Sequence, residues 1–296
     1  MKQMSRSLIS ISDFNNIDLE SILESTSLFK NNKVSSKHEG KCIGLLFEKF
    51  STRTRLSFEV AISRLGAYPI YINKSDTQIS RGESIEETAK MFSLYLDALV
   101  YRTSSHKDLE DFNKFSDIPV INALSDLEHP TQIISDIFSI LDTHPNCEST
   151  KDLKDLKIVY IGDGNNIANS LTLAADIMKL NLTICTPLGY EPKDKKYWID
   201  NPKKALADAD VVYTDVWTSM GSEGEELKRI KDFENYQINS ESIRLANKDY
   251  SFMHCLPAHI GEEVTKDIIE SSNSIVYQQA ENKKYTAMAI IDYILK

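Results

Sequence analysis

The chain has 296 residues, 41% of them hydrophobic and 26% charged, a balance of ordinary globular proteins that excludes disordered and fibrous classes. Its formal net charge of -10 argues against a surface that tracks nucleic-acid phosphates, because such surfaces cluster Lys and Arg. No stretch approaches the length of a membrane span, and the basic start Met1-Lys2-Gln3-Met4-Ser5-Arg6 lacks the apolar core of a secretory signal, so the expectation is a cytoplasmic protein with no membrane partner.

Short apolar runs rich in β-branched residues alternate with helical patterns, which predicts βαβ units, parallel strands and an α/β class. In chain order, Cys42 to Phe47 reads as a buried strand, Arg53 to Leu65 as a helix and Tyr68 to Ile72 as a strand. A helix over Ser84 to Tyr95 follows, then strands at Ala98 to Tyr101 and Pro119 to Asn122. Pro130 suits the first turn of a helix reaching about Leu141. The polar stretch Asp142 to Thr150 interrupts the pattern and predicts a connection between two domains. Beyond it the alternation resumes with strand Lys157 to Ile161, helix Asn166 to Leu180, strands Leu182 to Cys185 and Val211 to Asp215, and a last helix Gln279 to Ile294. The four cysteines, Cys42, Cys147, Cys185 and Cys255, lie far apart without a C-x-x-C pair and read as reduced thiols.

Five clusters and one isolated arginine carry possible chemistry, each beside a predicted strand end. Phe50-Ser51-Thr52-Arg53-Thr54-Arg55 precedes a helix, whose unpaired N–H groups and partial positive charge favour a phosphate. A cap would need one hydroxyl, whereas this segment interleaves three with two arginines. Glu128-His129-Pro130-Thr131-Gln132 places His129 and Gln132 one turn apart, as ligand contacts or as solvent-facing cap residues. Arg102 ends another strand, where it either reaches a crevice or is a surface charge. Ile161-Gly162-Asp163-Gly164-Asn165-Asn166 resembles a dinucleotide fingerprint only superficially, since Ile167 replaces the third glycine. Asp215-Val216-Trp217-Thr218-Ser219-Met220-Gly221 and His254-Cys255-Leu256-Pro257 complete the set.

The order S-T-R-T-R, H-P-T-Q, D-V-W-x-S-M-G and H-C-L-P resembles that of the ornithine carbamoyltransferases, from about Phe47 to Asn282. Gln78 within T-Q-I-S-R-G-E-S, Arg102 and Pro119-Val120-Ile121-Asn122 belong to the same likeness. Aspartate-using relatives share the first two motifs and differ in the last two. The resemblance implies two domains, each a mainly parallel sheet flanked by helices. Residues 1–141, completed by a final helix at 279–296, would bind carbamoyl phosphate, and residues 151–278 would bind L-ornithine.

It further assigns Ser51, Thr52, Arg53 and Thr54 to the phosphate, with Gln78 reaching in from a neighbouring subunit of a homotrimer or multiple of trimers. Arg102, His129 and Gln132 fall to the carbamoyl end, and Asn165, Asn166, Asp215, Ser219 and Met220 to ornithine. Cys255 and Leu256 lie where both substrates meet. Asp215, Cys255 and Arg102 are the expected catalytic residues, and no cofactor or metal is implied. Two positions depart from the pattern. Ile260 and Lys283 stand where the family usually has Arg, and Lys283 keeps the charge for carbamoyl phosphate without the two-pronged geometry. Competing readings are carbamoyl transfer to another amine, a nucleotide-dependent oxidoreductase using the Gly162 turn, and a ligand-binding paralogue without turnover.

Overall fold

The computed structural model describes residues 6–33, 37–218 and 224–296. The chain divides into two compact units, one running to Ser135 and taking up Asn282–Lys296, the other spanning Asp136–Glu281. The division falls inside two continuous helices, Pro130–Thr143 and Val276–Leu295.

The first unit contains α1 (Asn16–Lys30), β1 (Cys42–Phe47), α2 (Arg53–Arg64), β2 (Tyr68–Asn73), α3 (Ile85–Tyr95), β3 (Ala98–Arg102), α4 (His106–Phe115), β4 (Val120–Leu124) and the start of α5 (Pro130–Thr143). Its strands form one sheet in the order β2-β1-β3-β4, every pair parallel. Leu8 adds a short parallel bridge beside β4, where its N–H bonds Val120 O at 2.9 Å. Leu46, Leu99, Tyr101, Leu109, Phe112 and Val120 fill one core cluster of this sheet. Helix α1 escaped the sequence reading, although Asn15 and Asp18 form a reciprocal capping box that marks its start. Helix α4 escaped likewise, its cap being Ser105, which accepts the Asp108 N–H at 3.1 Å.

The second unit contains β5 (Lys157–Ile161), α6 (Asn166–Met178), β6 (Asn181–Cys185), β7 (Trp198–Ile199), α7 (Pro202–Leu206), β8 (Val211–Thr214), α8 (Glu226–Asp232), β9 (Ser251–His254), α9 (Lys266–Ile269) and the start of α10 (Val276–Leu295). Its sheet runs β7-β6-β5-β8-β9, again all parallel. Val159, Ile161, Val212, Trp217, Phe233 and Phe252 anchor its core.

Strand order decides where a ligand can sit. In the first sheet the chain passes from β1 to β2 on one side and then to β3 on the other, so the carboxyl ends of β1 and β3 flank a switch point. In the second, β5 is followed by β6 on one side and β8 on the other, which makes a second such point. Open parallel sheets leave a crevice there, because the flanking connections diverge to opposite faces. Of the expected site residues, Arg53 and Thr54 follow β1, Arg102 ends β3, Asn165 follows β5 and Asp215 follows β8.

Candidate active site

In the first unit, β1 ends at Phe47 and the chain enters α2 at Arg53. Thr52 makes no side-chain cap bond and the first turn carries no acid, so the helix start keeps its affinity for an anion. Arg55, the second arginine of the cluster, turns away. It bonds Glu59 Oε1 at 2.9 Å and lies over the Tyr71 ring, which makes it a brace between α2 and β2.

Arg102 closes β3, opposite Phe47 of β1. On its other side the register with β4 slips between Tyr101 and Arg102, so that Arg102 faces Leu124 while Tyr101 faces Asn122. Such a bulge re-aims the side chain that follows it. The Arg102 Nε is buried and has no hydrogen-bond partner among the described residues. Burial first, and the Arg53 charge second, lower its pKa to about 10, which leaves it protonated at neutral pH.

Thr54, His129, Gln132 and Lys283 are all buried in the same unit. Lys283 Nζ donates to Gln132 Oε1 at 2.5 Å and to Thr54 Oγ1 at 3.3 Å, which joins α10, α5 and α2 at one cation. Desolvation, followed by the charges of Lys283 and Arg102, holds the His129 imidazole well below its usual pKa and therefore neutral. Arg53, Arg102 and Lys283 thus supply the local positive field that an acidic chain must build to hold an anion.

Glu48, which the sequence reading overlooked, pins the turns around them. It accepts bonds from Lys74 Nζ and the Tyr101 hydroxyl at 2.8 Å each, and from the Ser104 N–H at 3.2 Å. Burial works to raise its pKa, but those bonds outweigh it and keep the carboxylate ionised. Gln78 begins a short 3-10 turn, Gln78–Arg81, and is exposed on this unit.

In the second unit Asn165 caps α6, accepting the Ile167 N–H at 2.9 Å and the Ala168 N–H at 3.3 Å. Its amide turns the other way, donating to Asp215 Oδ2 at 2.9 Å. Asp215 Oδ1 accepts the Val216 N–H and the Cys255 thiol, both at 2.9 Å. The carboxylate, only 7% exposed, is therefore fixed by donors from three different segments. Asn166 opens the helix beside it.

His254, in the H-C-L-P motif, is fully engaged. Its Nδ1 accepts the Leu256 N–H at 2.9 Å, and its Nε2 lies 3.0 Å from Glu263 Oε1, which assigns the proton to Nε2. Leu256 takes a left-handed φ of 58° that this bond helps to hold. Asp215, His254 and Cys255 bring one possible metal-ligand atom each within 4.8 Å of one another, yet both imidazole nitrogens of His254 already serve these protein contacts. Ser219 and Met220 lie outside the described residues.

The turn that resembled a dinucleotide fingerprint has another use. A side-chain carbon at Gly164 would come within 2.4 Å of the backbone at Tyr190, Glu191 and Pro192, and the Gly164 N–H donates to Tyr190 O at 2.9 Å. In a dinucleotide fold that closeness admits a pyrophosphate. Here a neighbouring loop takes the space, and the glycine serves packing.

Comparison with known proteins agrees with this layout. Residues 6–142 match the model of the aspartate/ornithine carbamoyltransferase carbamoyl-P binding domain, and residues 154–294 match that of the Asp/Orn binding domain. The fold and its paired switch points are thus those of a two-domain carbamoyltransferase. Ornithine carbamoyltransferase from Thermococcus kodakarensis is 44% identical, covering 98% of this chain and 96% of its own length. The solved ornithine carbamoyltransferase of Pyrococcus furiosus is 42% identical with a TM-score of 0.89, over 98% of this chain and 97% of that one. The Thermus thermophilus structure superposes with a TM-score of 0.90 at 33% identity, over 98% of this chain and 99% of that one. The chain belongs to the ornithine carbamoyltransferase family.

Proposed function

We propose that the cationic pocket of the first unit binds carbamoyl phosphate and that the Asp215 pocket of the second binds L-ornithine, for the transfer that defines the family. The protein is a transferase that moves the carbamoyl group of carbamoyl phosphate to the side-chain amine of ornithine, giving citrulline and phosphate. The Pyrococcus furiosus relative is named an anabolic enzyme, and arginine biosynthesis is the matching role. By this reading residues 1–141 with 279–296 form the carbamoyl-phosphate domain and residues 151–278 the ornithine domain.

The observation that carries the residue assignment is the cluster of half-buried Arg102 with buried Lys283 and neutral, buried His129 in the unit that holds the uncapped start of α2. Ser51, Thr52, Arg53 and Thr54 hold the phosphate through the helix N–H groups, hydroxyls and one guanidinium. Arg102, with Nε free to donate, and Thr54 stabilise negative charge on the carbonyl oxygen as the amine adds. His129 and Gln132 orient the carbamoyl end.

On the acceptor side Asp215, assisted by Asn165, Asn166, Ser219 and Met220, holds the α-amino group. Aspartate has a single amine, so with its α-amino group held by Asp215 none would remain to attack, whereas a diamino acid keeps its side-chain amine for the transfer. A lysine-like amine of pKa about 10.4 is only ~0.1% neutral near pH 7.5, a deficit of about 4 kcal/mol. Cys255, whose thiol donates to Asp215, and Leu256 receive the neutral amine. Its nitrogen bonds the carbamoyl carbon, the bond to the phosphate oxygen breaks, and the surplus proton passes to the departing phosphate. Juxtaposition of the reactants supplies much of the remaining rate.

The same reading makes the protein a homotrimer or multiple of trimers in the cytoplasm, the four thiols suiting a reducing compartment. Leu56 and Val60 share a face of α2, Tyr68 and Ile70 alternate on the edge strand β2, and Leu94 and Tyr95 end α3, all exposed. An apolar set of this size on one unit suits association with further copies. Gln78, exposed on that unit, would then complete a neighbour's phosphate pocket.

Purified protein given carbamoyl phosphate should form citrulline from ornithine far faster than the corresponding products from putrescine or acylated ornithine. Preference for either of those acceptors would overturn the assignment.

A further inference from the structure

A second polar network lies within the second unit and has no part in the scheme above. Asp136, Tyr213, His254 and Gln279 are each only 1% exposed. The Tyr213 hydroxyl donates to Asp136 Oδ2 at 2.7 Å, and Gln279 Nε2 donates to Asp136 Oδ1 at 2.8 Å. Gln279 Oε1 accepts the His254 N–H at 3.0 Å. Burial, then the Asp136 charge, push the Tyr213 phenol well above its ordinary range, so it stays a donor.

A buried carboxylate is a poor source of stability, since apolar residues of similar volume often serve as well or better. What the network adds is direction, because its bonds end beside the ornithine pocket. Tyr213 lies in β8 two positions before Asp215, which directly follows the strand's last residue, Thr214. His254 is the neighbour of Cys255. The pairing of β8 with β9 sets Tyr213 against Met253 and Thr214 against His254, so the two strand ends move as one. It is on these ends that the Cys255 thiol meets Asp215 at 2.9 Å.

We infer that Asp136 is a positioning residue for carbamoyl transfer: through Tyr213 and Gln279 it sets the strand ends that present Asp215 and Cys255 to the amino-acid substrate. The inference rests on the assignment of those two residues to ornithine. Asp136 acts through its partners and not on the reacting atoms.

The polarity of the network can be inverted to test it. Asp136→Asn alone must turn an NH2 either toward the Gln279 NH2 or toward the Tyr213 hydroxyl, which would then have to accept where it now donates. The double exchange of Asp136→Asn with Gln279→Glu restores a donor and an acceptor at each of these three bonds and keeps one buried carboxylate. In full-length protein, Asp136→Asn should lower kcat for citrulline about 10-fold or more and raise the ornithine KM, while carbamoyl-phosphate Kd stays within about 2-fold. The double exchange should return kcat to within about 3-fold of the parent, as expected of directly coupled partners. Tyr213→Phe, which deletes one bond and keeps the ring, should shift kcat in the same direction by a smaller factor, and it serves if Asp136→Asn does not fold. Parental kcat in folded single variants, with only the melting temperature lowered, overturns the inference. So does a double exchange that restores melting temperature and leaves kcat depressed. A parent protein that forms no citrulline would instead strike at the assignment beneath it.

Discussion

The two units use one topological device for opposite electrostatic ends. Each has its proposed site where the strand order of a parallel sheet reverses, beside the start of a helix, yet the first gathers Arg53, Arg102 and Lys283 while the second presents Asp215. The helix starts differ accordingly. Thr52 leaves the N–H groups of α2 uncapped for a ligand, whereas Asn165 satisfies those of α6 and spends its amide on Asp215. A switch point therefore marks where a ligand can sit, and the charged side chains gathered beside it decide which charge it would carry.

That contrast breaks most sharply at Arg102. Arg102→Ala should lower kcat by about 10²- to 10³-fold, the usual loss when one donor to a developing oxyanion is removed. Steady-state kinetics at saturating substrates check this, and a fall confined to KM would place Arg102 outside the oxyanion site. Asp215→Asn probes the other unit. It should weaken ornithine use by roughly 10- to 100-fold, the range for losing a charged hydrogen-bond partner, with carbamoyl-phosphate Kd unchanged by calorimetry. Equal damage to both substrates would merge the two pockets into one.

Lys283 sharpens the comparison further. Lys283→Met should raise the carbamoyl-phosphate KM about 10-fold, because Gln132 and Thr54 lose the cation that joins them. Lys283→Arg should lower that KM a few-fold if the guanidinium fork grips phosphate directly, a gain of about 1 kcal/mol. No change would mean that the ammonium already does all its work through those two neighbours.

The smallest expected effect is on pH. His129 keeps its pKa well below the ordinary 6.5, so the unfolded chain takes up a proton that the folded chain refuses once pH falls below that value. Its contribution to stability is intact above pH 6.5 and is lost as pH drops below it. Burial lowers the pKa of His144 as well, with the same sign. In substrate-free protein His129→Gln should thus flatten the acid-side fall of melting temperature, and an unchanged slope would assign that fall to other groups.

Much of this was legible in the sequence, and the gaps have physical causes. Period and β-branching marked the sheet strands β1 and β5, since buried parallel strands are continuous apolar runs. Helix α1 was lost because its face is mixed, with Ile17 exposed and Asp18 buried, although its capping box was there to be read. Thr54 and Arg53 were visible in one short motif, but nothing local to that motif separates Arg53 from Arg55, whose partners Glu59 and Tyr71 arise from helix and sheet packing. Lys283 could be noticed as a departure from a pattern. Its bonds to Gln132 and Thr54 join residues far apart in sequence, and such pairings emerge only when the chain folds. The bond between Cys255 and Asp215 is of the same kind. Gly164 misled for the opposite reason, since a tight backbone approach selects glycine whether the neighbour is a phosphate or a loop.

The most direct test is a crystal structure of the protein with carbamoyl phosphate and an ornithine analogue that lacks the side-chain amine. The phosphate should rest on the start of α2 with its carbonyl oxygen toward Arg102, and the analogue's α-amino group should meet Asp215. Phosphate bound away from residues 51–54, or an analogue that leaves Asp215 untouched, would contradict the division of charge on which the account depends.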